Sequence, residues 1–433
     1  VEGLKMKGRK ANVYITYNGK TIKTALDNFQ NSFSYTDPDG GESDSIKINL
    51  ADPENQWIAA WIPSAGDEIK AEIRTENWNG EGDDGKLDCG VFIIDSLSYS
   101  RGSSGSSFSI GAISSPAGDA FKETERSQTW EKATLKKIAQ TIADRYKLKL
   151  YFDCEDITIK SKEQSKATDS SFLKNLCDDY GKKLKVYKNQ IVIFDREKYK
   201  KKEVKITIKK EELSSVRWNS NLVGTYTGGE ITYTNGKSGK DIKYKTGTGP
   251  RIYKANEKAD SLAEAKLKLE NAIAEQNHSA VTLDITVPGR TDITAAMVIN
   301  VVGIGKASGK YYIDEKTDNV SNSGYTTNLK LSKVSDSDAT VLDAIDRLAK
   351  LKISVSPEYW VANYKNVKYL DDLLVNMAVR IRINNNSNIY TTADESIDKL
   401  ASEGIINTAA YWKANKEALP WLPLLLINAA NAF

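Results

Sequence analysis

Residues 129–153, TWEKATLKKIAQTIADRYKLKLYFD, and 163–195, EQSKATDSSFLKNLCDDYGKKLKVYKNQIVIFD, are the stretches from which the organisation of the chain can be read. In the first, Leu135, Ile138, Ala139, Ile142 and Ala143 recur at helical spacing. They form one apolar face that runs into a strand at Leu148 to Phe152. In the second, Thr168 or Asp169 stands at a helix N-cap and Phe172, Leu173, Leu176 and Cys177 form the apolar face. Gly181 ends that helix, and strands at Leu184 to Tyr187 and Ile191 to Phe194 turn at Asn189. The spacing predicts a helix–strand–helix–hairpin unit between two long β regions.

The β regions are read from alternation with a period of two. From Ala11 come VYITY, a turn at Asn18-Gly19, SFSYT, the turn DPDGGESD and SIKINL, in which Ile46, Ile48 and Leu50 mark one buried face. GDEIKAEI, CGVFIIDSLSYS and SFSIGAI extend the sheet to residue 113. After Lys200, KKKEVKITIKK reads as a solvated connection, because Glu203, Glu211 and Glu212 dilute its charge and no aromatics interleave. Strands resume at Val216, with an Asn-Gly turn inside GEITYTNGKSGKDIKYK. A helix is expected over 257–276, and strands return at AVTLDITVPG, AAMVINVVGIG, KYYIDEK and YTTNLKLSKV.

The motif W…TLKKIAQTIA…L.L, with EQS…TD..FLKNLC.DYG..LKV and the IVIFD strand, resembles the late control D family, the baseplate hub proteins of contractile phage tails and related injection particles. The resemblance spans roughly residues 11–335 and leaves out the last hundred. It implies a homotrimeric ring whose paired β-barrel domains continue the tail tube, with the α/β insert outside. Its implied partners are tail tube proteins, a spike protein and other baseplate proteins. The implied place is the virion or tail-like particle, after assembly in the bacterial cytoplasm.

One hairpin occurs twice. GVFIIDSLSYSRGSSGSSFSIGAIS from Gly90 and GKYYIDEKTDNVSNSGYTTNLKLSK from Gly309 align without a gap. Gly90 meets Gly309, Phe92 meets Tyr311, Ile94 and Asp95 meet Ile313 and Asp314, Gly105 meets Gly324 and Ile110 meets Leu329. Two similar β-domains in one chain, assembled as a trimer, present six similar surfaces around an axis. The expected fold class is α+β and multidomain. A leader (1–10) is followed by a first β-barrel-like domain (11–115), an inserted α/β domain (116–200) and a second β-barrel-like domain (201–335). A small all-α region (336–433) closes the chain.

That last region repeats too. IDRLAKLKISVSPEYWVANYKNVKYLDDLLVNMA from Ile345 and IDKLASEGIINTAAYWKANKEALPWLPLLLINAA from Ile397 align without a gap, which predicts modules at about 341–383 and 393–433. Tyr359, Trp360 and Asn363 match Tyr411, Trp412 and Asn415, a pattern similar to repeats in cell-wall-active phage and bacterial proteins. These six residues are candidate contacts for cell wall or a partner. A Trp–Asn pair at a surface suits sugar stacking and amide recognition. The kept positions are mainly apolar, however, which points to packing first. A cell-wall-binding or wall-degrading tail protein is therefore the alternative to the hub.

Other chemistry finds little support. Sixty-one basic and 58 acidic residues give a net charge of +3, so no global footprint for nucleic acid exists. No run of 18 apolar residues occurs, and Pro420 and Pro423 interrupt the nearest approach, so membrane insertion is not expected. The start, VEGLKMKGRK, has no apolar segment of the secretory kind. Cys89, Cys154 and Cys177 read as free thiols, buried rather than bridged or zinc-bound. Asp37, Asp39, Glu42 and Asp44 place Gly41 and Glu42 where a calcium loop needs a ligand and a glycine, so a solvated hairpin turn is expected. Gly303, Gly305 and Gly309 miss the dinucleotide spacing and read as a turn. His278, the single histidine, is expected as a solvated cap between helix and strand. Neither a cofactor, a metal nor an enzymatic activity is expected.

Overall fold

The computed structural model describes residues 8–21, 30–55, 58, 62–103, 105–114, 120–234, 241–247, 250–255, 258–259, 261–334, 392–402, 405–406, 408–419 and 422–431. It also describes residues 345, 348, 353, 359, 360, 363, 366, 367, 370, 373 and 377. They fall into two compact units, Val1–Val334 and Ser335–Phe433.

The first unit is built on one 13-stranded sheet. Its early strands are β1 (Lys10–Tyr17), β2 (Lys20–Thr21), β3 (Gln30–Pro38), β4 (Ser45–Ala51), β5 (Glu68–Glu76), β6 (Gly85–Gly102) and β7 (Gly105–Ile113). They lie in the order β2-β1-β5-β6-β7-β4-β3, all antiparallel. Alternation explains the burial: Val13, Ile15, Phe33, Tyr35, Ile46, Ile48, Leu50, Phe92, Ile94 and Phe108 face one core. Each such side chain taken from water stabilises the sheet by about 1.5–3 kcal/mol.

The insert follows as α1 (Ala120–Glu123), β8 (Glu125–Thr134), α2 (Leu135–Arg145), β9 (Lys149–Asp153), β10 (Thr158–Thr168), α3 (Asp169–Asp179), β11 (Lys182–Tyr187), β12 (Gln190–Asp195) and α4 (Arg196–Lys200). Leu135, Ile138, Ala139, Ile142 and Ala143 are the buried face of α2, as the spacing requires. Thr134 and Thr168 cap α2 and α3 by accepting from the backbone N–H groups of Lys137 and Ser171. Gly181 has φ +64°, the left-handed exit that glycine tolerates. The sequence reading missed β8 and β10, which pair as a two-stranded ribbon. Their residues, ERSQTWEKAT and TIKSKEQSKAT, are too polar to show a buried strand face.

The chain continues through β13 (Ile206–Lys209), β14 (Ser215–Ser220), β15 (Gly228–Thr234), β16 (Asp241–Gly247), β17 (Ile252–Ala255) and α5 (Leu262–His278). It ends the unit with β18 (Val281–Pro288), β19 (Val298–Val302), β20 (Gly309–Ser321) and β21 (Gly324–Lys333). β15–β17 form a small separate sheet against α5. The others extend the large sheet as β13-β19-β20-β21-β18-β14. The basic segment after Lys200 is thus not a bare solvated connection. It starts in α4, and its β13 pairs in parallel with β19, with Ile208 fully buried. The glycine-rich segment at 303–309 holds a short 3-10 turn, Gly305–Ala307, leading straight into β20.

The second unit is helical where it is described: α6 (Ala393–Ser402), α7 (Ala409–Asn415) and α8 (Leu422–Asn431). Its core takes in Ile345, Leu348, Ile353, Trp360, Leu370, Leu373, Ile397, Leu400, Ile405, Trp412, Leu422, Leu425 and Leu426. Most of the helix expected from VLDAIDRLAKLK, residues 341–352, and most of the module at 341–383, lies outside the described residues.

Candidate assembly site

The repeated hairpin is the same object twice. On β6–β7, Ile94 faces Ala112 and then Ser96 faces Gly111, so Asp95 is bulged out. On β20–β21, Ile313 faces Leu331 and then Glu315 faces Lys330, so Asp314 is bulged at the equivalent place. Phe92 and Tyr311 are fully buried, and Gly90 and Gly309 both take positive φ, +107° and +145°.

The equivalence extends to their neighbours. Ile69 of β5 faces Phe92, and Ile299 of β19 faces Tyr311. Ile48 of β4 faces Ile110, and Ile285 of β18 faces Leu329. Phe33 of β3 faces Ile48, and Val216 of β14 faces Ile285. Six strands therefore recur in one spatial order: β1-β5-β6-β7-β4-β3 and β13-β19-β20-β21-β18-β14. One strand differs in direction, β1 running antiparallel to β5 and β13 parallel to β19.

The two sets are stitched together by β3, whose residues Ser32–Pro38 pair antiparallel with Ser321–Glu315 of β20. Beneath that joint Lys316 and Asp318 are wholly buried and ion-paired at 2.8 Å. Tyr325 and Thr327 hydroxyls donate to Asp318 Oδ1 at 2.8 and 2.7 Å. Burial raises the Asp318 carboxyl above its usual range, against the pull of Lys316.

The turn between β3 and β4 carries a second buried charge cluster, and here the expectation of a solvated turn is corrected. Asp37, Asp39 and Asp44 are buried because cations from the insert reach them. Lys185 of β11 pairs with Asp37 and, at 2.8 Å, with Asp44, and donates to the Pro38 carbonyl at 3.0 Å. Tyr35 donates to Asp44 Oδ2 at 2.8 Å. Arg196 reaches Asp39 at 2.9 Å and Glu275 of α5 at 3.0 Å, and Tyr312 of β20 donates to Asp39 at 3.1 Å. Gly41 N–H donates to the Leu184 carbonyl at 2.8 Å. One ammonium stands between two carboxylates, and burial with the neighbouring Asp37 pushes Asp44 up to about 7 despite Lys185. The cluster ties the first strand set, the insert, α5 and the second strand set at one point.

His278 is also corrected. It ends α5, but its ring is buried and its Nε2 lies 2.5 Å from Asp314 Oδ1, while Ser332 donates to Asp314 Oδ2 at 2.5 Å. The carboxylate sits between the serine and the histidine. A serine nucleophile needs the imidazole on its own oxygen, so this order ties strand to helix and activates nothing. Cys89 and Cys177 are buried and Cys154 is half-buried. Burial raises all three thiols, Cys154 to about 11.

In the helical unit Trp360 and Trp412 are 1% and 4% exposed. Each meets the preceding Tyr359 or Tyr411 edge to face, with centroids 5.2 and 5.3 Å apart. Asn363 and Asn415 donate their amides to the Tyr359 and Tyr411 carbonyls, both at 2.8 Å. The indoles face the core and the amides serve the backbone one turn earlier. The geometry therefore suits packing. A missed site would have shown only as acidic residues of the β3–β4 turn and distant basic residues that no local pattern links.

No family model matches the chain, and no curated protein matches it. Solved structures do. The 43 kDa tail protein of prophage MuSo2 from Shewanella oneidensis is similar with a TM-score of 0.59 at 12% identity, over 75% of this chain and 98% of that one. The tail protein from Neisseria meningitidis MC58 is similar with a TM-score of 0.57 at 13% identity, over 75% and 96%. The chain has the fold of these phage tail proteins, the fold that the late control D resemblance implies.

Proposed function

We propose that the chain is the structural baseplate hub of a contractile phage tail or phage-tail-like injection particle. In this reading three copies form a ring with pseudo-sixfold symmetry that joins the tail tube to the central spike, with other baseplate proteins outside. The observation that supports it is the doubled six-strand set: three copies of a chain holding two equivalent sets offer six like surfaces to a sixfold tube and a threefold frame to a spike. The buried charge cluster suits the same role, since it holds the insert rigidly beside the joint. The chain works by assembly, not by chemistry, and its place is the virion or tail-like particle.

The helical unit is proposed as a scaffold or plug made of two modules. Buried pairs 52 positions apart support this: Ile345 and Ile397, Leu348 and Leu400, Trp360 and Trp412, Leu370 and Leu422. Peptidoglycan binding through Tyr359, Trp360, Asn363, Tyr411, Trp412 and Asn415 is the competing idea, and a pull-down of the full chain on purified peptidoglycan tests it.

Cryo-electron microscopy of the purified chain or its particle should show three copies per ring. Six copies per ring, or a level without threefold symmetry, would sink the hub reading.

A further inference from the structure

We propose that copies of this chain join strand to strand, with β14 of one copy adding antiparallel to the outer half of β6, Ser96–Gly102, of the next. This rests on the ring reading and names the strands that close the ring.

The template is inside the molecule. The outer half of β20 is covered by β3. The equivalent half of β6 is β-paired only with β7 among the described residues, because the pairing with β5 ends where Glu68 faces Ile93. The equivalent of β3 is β14, which is β-paired only with β18 among the described residues. Among the described residues, each chain thus uses one such joint internally and leaves its two complementary halves unpaired.

Burial marks the same gap. Phe33 and Tyr35 on β3 are 1% and 3% exposed, whereas their equivalents Val216 and Trp218 on β14 are each 45% exposed. All six residues of β14 are exposed. An open edge with alternating large apolar residues is a template for another strand and is rarely left bare. On β6, Leu97 and Tyr99 are half-buried on the core face and, among the described residues, lack the strand that covers Lys316 and Asp318 on β20.

The internal register fixes the expected one. Asp318 faces Tyr35, so Tyr99 should face Trp218. By the same mapping Leu97 faces Ser220 and Arg101 faces Val216 on the core face. Ser98 faces Asn219 and Ser100 faces Arg217 on the other face. The core-face set brings Trp218 onto Tyr99, and the other face brings only polar side chains together. The two surfaces differ, so the contact is head-to-tail and propagates until the ring closes. The occupant is a second copy because the missing halves are those of this chain's own joint.

Paired cysteines test the register in the full chain. The background is Cys154→Ser, which leaves only the buried thiols Cys89 and Cys177. Directly opposite residues bring their Cβ atoms to about 4.5–5.5 Å, near disulfide reach. Under catalysed oxidation Ser98→Cys with Asn219→Cys should give covalent dimers and trimers on non-reducing gels. Ser98→Cys with Ser215→Cys is four residues out of register, about 13 Å along the strand, and should give few. Trp218→Asp should turn a three-copy species into monomer by mass photometry with an unchanged circular dichroism spectrum, since Trp218 is a surface residue of the single chain. Preference for the shifted pair, or a three-copy ring that survives Trp218→Asp, overturns the seam and leaves the hub reading standing. A monomer at every concentration with no cross-link overturns both.

Discussion

Lys316 and Asp318 on β20 are fully buried, whereas Leu97 and Tyr99, at the same places on β6, remain partly exposed. The two strands share a bulge, a register and a terminal glycine turn, so the difference is not in the backbone. It lies in what lies alongside. β20 is covered by β3, from some 280 residues earlier, and a charged pair survives there because its members meet each other and two hydroxyls donate to Asp318. β6 is not covered by an equivalent strand among the described residues. Similar sequence therefore carries one fold in two environments, and burial is assigned by the neighbour.

The largest effect should come from breaking the buried pair. Asp318→Ala leaves the Lys316 charge unmatched and should cost about 3–5 kcal/mol in denaturant unfolding. Tyr99→Ala, at the equivalent position, should cost the isolated chain much less. Equal losses would mean that the two outer halves do not differ as described. A comparable loss, about 3–5 kcal/mol, is expected for Trp412→Ala within the helical unit, the usual cost of deleting a buried large aromatic. If that variant instead unfolds as wild type but loses binding to peptidoglycan, the packing role gives way to the wall-binding one.

A smaller pair of effects sharpens the equivalence itself. Gly90→Ala and Gly309→Ala put a side chain at φ +107° and +145°, and the nearest atoms are lysine side chains that can move. The cost should be backbone strain of about 1–3 kcal/mol at each site, seen as similar drops in melting temperature. A drop at one site only would show that the bulged hairpins are not interchangeable.

The smallest effect is a slope. Asp44 is pushed up to about 7 in the folded chain, above the ordinary aspartate value near 4. Between those limits the folded chain holds a proton that the unfolded chain has released. That stabilisation is complete below about pH 4 and is lost as pH rises through about 7. The melting temperature should therefore fall from pH 5 to pH 8, and Asp44→Asn should flatten the fall. An unchanged slope in the variant would place the proton elsewhere.

Much of this could be read locally. The apolar face of α2, the threonine caps, Gly181 and the hairpin repeated from Gly90 and Gly309 all depend on neighbours within a few residues or on gapless similarity. The wider duplication was hidden because the loops between strands differ in length. The offset that relates β6 to β20 therefore does not relate β3 to β14 or β4 to β18. The candidate site was legible only as fragments. Asp37, Asp39 and Asp44 looked like a wet turn and His278 like a helix cap, while Lys185 and Arg196 carried no local sign of a buried partner.

By itself the sequence determined the α+β class, the inserted unit, the repeated hairpin and the buried apolar sets, because periodicity and turn chemistry act over short spans. Only the tertiary structure decided which charges went inside. A buried carboxylate is tolerable when a cation and hydroxyl donors converge on it, and here they come from Lys185, Arg196 and Tyr312, far away in the chain. It also decided that the two strand sets form one sheet through β3 and β20, since strand edges find partners by geometry and hydrogen bonding, which no local pattern records.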